Sequence, residues 1–205
     1  MKRKNLLIAI VAGVALSAGL FVGSGVIRFE PPDPRRATIL PTAPQVPAFR
    51  LLDQHGRMVD ERVFEGQWDL VFFGFTNCPD VCPLTLQTLA VAKRELAAAG
   101  HSPLPRIVLV SVDPERDTPA RVAQYVDAFG EGNLGITGEL DELRKLTRGL
   151  GIFFEKRPGD GEQYNVDHSS VVLVVDPQGR FRALFSSPHE IDDYVHDLPL
   201  VLGRR

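Results

Sequence analysis

Asp69-Leu70-Val71-Phe72-Phe73-Gly74-Phe75-Thr76-Asn77-Cys78-Pro79-Asp80-Val81-Cys82-Pro83 is the stretch that decides the fold class. Its first eight residues form a largely apolar run of strand length, rich in Val and Phe, as a central strand buried on both faces requires. From Pro83 to Ala99 (PLTLQTLAVAKRELAAA) good helix formers follow, with a proline suited to the first turn and Gly100 where a C-terminal cap belongs. The stretch therefore reads strand, cysteine loop, helix.

Working outward, Arg106 to Val112 (RIVLVSV) is a second buried strand and completes a βαβ unit, whose crossover should be right-handed. Thr118-Pro119 opens a helix running to about Phe129, with Thr118 as cap and Pro119 at the first helical position. Glu139 to Leu150 is a short amphipathic helix, and Ile152 to Lys156 resumes extended structure. Val171 to Val175 and Phe181 to Phe185 form a hairpin around the turn Asp176-Pro177-Gln178-Gly179. A last helix spans about Pro188 to Leu202. Upstream, Phe49 to Val59 reads as another hairpin around a polar, Gly-containing turn. A βαβ half followed by a ββα half, with two cysteines at the first strand-to-helix junction, predicts an α/β, thioredoxin-like domain over residues 48–205: a mixed central sheet flanked by helices.

The N-terminus is different in kind. Lys2, Arg3 and Lys4 precede an uncharged, apolar stretch, and its Leu6 to Ile27 portion would reach about 33 Å as a helix, enough to cross a bilayer core of about 30 Å. A cleaved signal peptide is the competing reading, but its apolar core is shorter, about 7–15 residues. Residues 1–28 are thus expected to be a cytoplasmic tip and transmembrane anchor, with the basic residues inside and the rest of the chain outside. Residues 29–47 carry six prolines and no hydrophobic period, and read as an extended stalk. Removing residues 1–27 takes the net charge from −3 to −6, so the exported part has no electrostatic footprint for nucleic acid.

Cys78 and Cys82 are the only two cysteines. A close pair in an exported, otherwise cysteine-free domain suggests redox or metal chemistry rather than a stapled framework. At a helix start, unpaired amides and the helix dipole favour thiolates. The i, i+4 spacing can bring both sulfurs to one side of the first turn, near enough to share a metal or to close a disulfide. Three intervening residues, against two in thioredoxins proper, widen the loop and favour metal sharing. Two thiolates select Cu(I), and an added imidazole would suit Cu(II). Of five histidines, His55, His101, His189 and His196 read as solvated surface residues, the last two on the final helix. His168, in Tyr164-Asn165-Val166-Asp167-His168-Ser169-Ser170 before a buried strand, is the candidate third ligand, although taken alone it reads more readily as structural. Asp80 and Asp167 flank these residues, either orienting ligands or capping turns. Asp113 to Pro119 reads as a polar loop with a helix cap.

Phe72 to Pro83, then Val112 to Pro119, then Val166 to Ser169 resemble, in order, the signature segments of the Sco/SenC family of copper chaperones for cytochrome c oxidase assembly. The resemblance runs from about Ala48 to Leu202 and includes the anchor. It implies one copper ion, as Cu(I) or Cu(II), held by Cys78, Cys82 and His168 and delivered to the copper-A centre of oxidase subunit II. It also implies a bacterial inner-membrane protein whose soluble domain faces the periplasm, where a copper donor or thiol reductant would supply it. The alternatives are a thiol-disulfide oxidoreductase using the redox-active pair Cys78 and Cys82 on the oxidase cysteines, or a redox sensor. A peroxidase is the remote third reading, disfavoured by the immediate second cysteine.

Overall fold

The computed structural model describes residues 32–159 and 164–203, together with Arg3, Lys4, Ile10, Val11, Gly13 and Val14. The chain comprises two units, residues 1–33 and 34–205. The described residues from Arg3 to Val14 are helical. Among the described residues no helix is long and apolar enough to cross a membrane. Most of the stretch expected as an anchor, 6–27, lies outside the described residues.

The second unit runs β1 (Thr38–Ile39), β2 (Leu51–Asp53), β3 (Met58–Val59), a 3-10 turn (Glu61–Phe64), β4 (Asp69–Gly74), α1 (Val81–Ala98), β5 (Arg106–Ser111), α2 (Pro119–Asp127), β6 (Leu134–Thr137), α3 (Leu140–Leu150), β7 (Phe154–Lys156), β8 (Val166–His168), β9 (Val172–Val175), β10 (Phe181–Phe185) and α4 (Ile191–Leu202). All six residues of β4 are buried. Its apolarity on both faces puts it at the centre, parallel to β5 and antiparallel to β9. The eight-stranded sheet has the order β1-β10-β9-β4-β5-β6-β2-β3. Helix α1 packs against α4, and α2 lies on β6. This is the thioredoxin-like, mixed α/β arrangement expected.

Local signals account for most boundaries. Thr118 caps α2 by accepting from the Arg121 amide, with Pro119 in the first turn. Gly100, at φ +78, follows α1 in the left-handed conformation that a helix end favours. Helix α1 starts two residues earlier than Pro83, so Pro83 sits inside the first turn, where it has no intrahelical N–H bond to lose. Strands β6 and β8 have no strand signal of their own in the sequence. Both are short, and pairing rather than pattern creates them: β6 with β5 and β2, β8 with β7.

The stalk expected over 29–47 is corrected for its later part. The backbone amides of Arg35, Arg36 and Ala37 donate to the buried Asp197 carboxylate on α4 at 2.8, 2.7 and 2.8 Å. Thr38 and Ile39 then add an edge strand to β10, and Val46 is buried. Proline removes amide donors, but the residues between the prolines keep theirs, and an exposed sheet edge is a template for such a segment.

Candidate metal centre

Strand β4 delivers the cysteine loop and the β7–β8 ribbon delivers the histidine. Cys78 lies just before the α1 N-terminus and Cys82 within its first turn, where the Cys82 amide donates to Cys78 Sγ at 3.4 Å. His168 ends β8, opposite Phe154. Its Nε2 lies 3.4 Å from Cys82 Sγ. One ligand atom from each of Cys78, Cys82 and His168 can be chosen so that all lie within 4.8 Å of one another, and both cysteines are unbridged.

The histidine is oriented by its neighbour. His168 Nδ1 lies 3.1 Å from the Ser169 carbonyl, to which it donates, leaving the Nε2 lone pair facing the sulfurs. The rings of Phe72 and Phe75 meet the imidazole edge-on at 5.8 and 5.9 Å. Gly74 makes room for the sulfur: a Cβ there would lie 2.9 Å from Cys82 Sγ and 2.8 Å from the Phe72 ring. A glycine inside an apolar strand is the sequence signal of such a close approach.

The two thiols are unequal. The hydrogen bond from the Cys82 side chain, with those from the Asp80 and Cys82 amides, pulls Cys78 down to about 4, against burial. The same bond and burial push the Cys82 thiol upward. The metal-free pair therefore shares one proton, with the negative charge on Cys78. Cys82 is wholly buried and Cys78 is 8% exposed, while Asn77, Pro79, Asp80 and Val81 are exposed. The loop is open; the sulfurs are less so, and an incoming ligand would meet Cys78 and His168 before Cys82.

The remaining expectations divide. Asp80 acts through its backbone amide on Cys78, and its carboxylate gives no side-chain cap. The Asp167 carboxylate pairs with Arg157 Nε at 2.5 Å, so orienting His168 falls to the Ser169 carbonyl instead. Alternation along β8 explains this, since adjacent residues face opposite sides. His55 and His101 are exposed as expected. His189 precedes α4 and is half-buried: its Nε2 donates to the Ser170 carbonyl, and its Nδ1 accepts from Tyr194, both at 2.8 Å. His196, also half-buried, bonds Asp197 at 2.6 Å. The Asp113–Pro119 loop does more than cap α2. Its buried Asp117 carboxylate accepts from the Thr76 amide (2.9 Å), the Thr76 hydroxyl (2.6 Å) and the Ser111 hydroxyl (2.6 Å), fixing the backbone two residues before Cys78.

Fold and site together define a thioredoxin-like domain with a Cys-x3-Cys loop and a histidine converging on one point. The SCO1/SenC family model matches residues 38–202, and the chain belongs to that family. It is 39% identical over 151 residues to the mitochondrial SCO2 homolog of Bos taurus, covering 72% of this chain and 57% of that protein. The chain thus spans little more than half the length of that relative. Among solved structures, ScoI of Arabidopsis thaliana with copper bound superposes with a TM-score of 0.71 at 32% identity, covering 76% of this chain and 96% of that one. Apo Sco1 of Thermus thermophilus gives 0.71 at 36% identity, covering 81% and 96%.

Proposed function

We propose that this chain is a copper metallochaperone, binding one copper ion through Cys78, Cys82 and His168 and delivering it to the copper-A site of cytochrome c oxidase subunit II. The observation that carries the reading is the convergence of two sulfurs and an imidazole nitrogen within 4.8 Å. Soft thiolates hold Cu(I), the imidazole suits Cu(II), and the Nε2 lone pair already faces the sulfurs. The copper-bound Arabidopsis ScoI supports the choice of metal. Release would proceed by ligand exchange, with an acceptor thiolate entering beside Cys78 and His168 and the buried Cys82 letting go last. The apolar stretch 6–27 would hold the domain at the outer face of a bacterial inner membrane.

The test is copper stoichiometry and oxidation state on the purified full chain, beside oxidase maturation in cells. One copper per chain is expected, and His168→Ala should weaken Cu(II) binding strongly and abolish maturation. Unchanged maturation in that variant would overturn the chaperone reading. It would favour instead a thiol-disulfide oxidoreductase, which the unequal thiols favour. There the Cys78 thiolate would attack a target disulfide, and Cys82, giving up its proton, would resolve the mixed disulfide. The target would leave as a dithiol and this chain as a disulfide for an external thiol reductant to restore.

A further inference from the structure

Strand β8 pairs with β7 in a two-stranded ribbon separate from the main sheet, so no main-sheet ladder sets the height of His168 over the cysteines. The chain rejoins the main sheet at Val172, four positions after His168, and side chains of the Asp113–Pro119 loop hold the other end of the segment, at Tyr164. Asp113, 3% exposed, accepts from the Tyr164 hydroxyl through Oδ1 at 2.5 Å and from Arg116 Nε through Oδ2 at 2.5 Å. Arg116 Nη1 donates to the Tyr164 carbonyl at 3.1 Å, and its guanidinium carbon lies 3.6 Å from the Tyr164 ring centroid. That same carbon is 5.8 Å from the Phe75 ring centroid, and Phe75 meets the His168 ring. Tyr164, Arg116, Phe75 and His168 are thus a continuous series of contacts. Tyr164 lies four residues before the candidate ligand and Phe75 three residues before Cys78.

We propose that Asp113, Arg116 and Tyr164 form a positioning clasp that registers the His168 segment against the cysteine loop and so sets how well the imidazole can bind copper. The inference rests on the three-ligand reading above. Arginine is specifically required. Its planar guanidinium can stack on Tyr164 while forking to a carboxylate and a carbonyl, whereas a lysine ammonium keeps the charge and loses the plane. The clasp holds the segment that carries the histidine, whereas both cysteines have supports of their own in α1 and in Asp117 through Thr76.

The experiment compares the full chain with Arg116→Lys, the milder Tyr164→Phe, His168→Ala, and the Arg116→Lys/His168→Ala double variant. The added probes are Cu(II) alone and, under reducing conditions, Cu(I) in competition with a chelator. Arg116→Lys should weaken Cu(II) binding about 10- to 100-fold, the range for residues that orient a ligand. It should shift the sulfur-to-copper charge-transfer band toward that of His168→Ala while leaving Cu(I) affinity at the parent level. In the His168→Ala background it should have no further effect, since the group it positions is gone. In the metal-free protein, the nuclear Overhauser contact between the His168 and Phe75 rings should weaken. Tyr164→Phe, keeping the stack, should fall between parent and Arg116→Lys. Parent-like Cu(II) binding in Arg116→Lys, parallel loss of Cu(I) and Cu(II), or additive losses in the double variant would each overturn the clasp. Failure of the parent to bind copper, or of His168→Ala to lose Cu(II), would instead overturn the copper reading on which it stands.

Discussion

Replacing Asp117 tests whether the cysteine loop is held from below. In Asp117→Ala, three donors lose a charged acceptor: the Thr76 amide, the Thr76 hydroxyl and the Ser111 hydroxyl. Hydrogen bonds to a charged group contribute about 1.5–3 kcal/mol each, which sets an upper bound of about 4.5–9 kcal/mol for the three. The loss is smaller than that sum. The Ser111 hydroxyl still accepts from the Asp113 amide and the Thr76 hydroxyl from Arg121, and Thr76 is only partly buried, so water can reach it. A loss of about 3–5 kcal/mol remains, because bonds sharing one acceptor are not additive. Asp117→Asn keeps the volume and one oxygen, and a hydroxyl can turn to accept from the new amide, so about 1–2 kcal/mol is expected. Urea unfolding of the reduced, metal-free protein, followed by the single tryptophan, Trp68, which is 8% exposed, would measure both. A loss below about 1 kcal/mol for Asp117→Ala, or an equal loss for the two variants, would refute the reasoning that the carboxylate carries this junction.

Three further outcomes follow from the same geometry. Cys78, at about 4 against an ordinary 9.0, stabilises the fold fully above its ordinary value and loses that contribution as pH falls toward 4. Alkylation of the metal-free protein should therefore modify one thiol at a rate flat through neutral pH and falling only near that value; Cys82→Ala, which removes the largest cause, should move the midpoint upward, and an unmoved midpoint would contradict the assignment. Gly74→Ala should cost about 1–3 kcal/mol by overpacking and displace Cys82 Sγ, so parent-like stability and copper affinity together would rule out the close approach. Burial pushes Asp197 up, but the amides of Ala37, Arg35 and Arg36 and the His196 side chain outweigh it and hold the carboxyl below its usual value. Its contribution is present above the ordinary carboxylate range and lost as pH falls through the depressed value. Asp197→Asn should accordingly speed amide exchange at residues 35–39 at neutral pH, and unchanged exchange would show that other contacts dock this segment.

Much was legible because it is encoded locally. The uninterrupted apolarity of Leu70 to Phe73 marks a strand buried on both faces, Thr118-Pro119 marks a helix start, and Asp176 to Gly179 marks a hairpin turn. Cys78 and Cys82 were recognisable from their place at a helix start. What failed was non-local. Proline-rich residues 35–47 looked unable to build a core, yet they dock through backbone amides to a carboxylate more than 150 positions away. Strands β6 and β8 exist because a partner strand is beside them, and His189 looked like a surface residue until Ser170 and Tyr194 closed around it.

The sequence by itself determined the α/β class, the strand–loop–helix unit and the two sulfurs, since each depends on residues within a few positions of one another. Tertiary structure decided the rest of the site. Cys82 and His168 stand 86 positions apart, and only the β7–β8 ribbon brings them to 3.4 Å. Which carbonyl orients the imidazole, which carboxylate braces the loop, and which thiol carries the charge are likewise relations between segments. No window of sequence contains them, because they are set by distances that exist only once the sheet has formed.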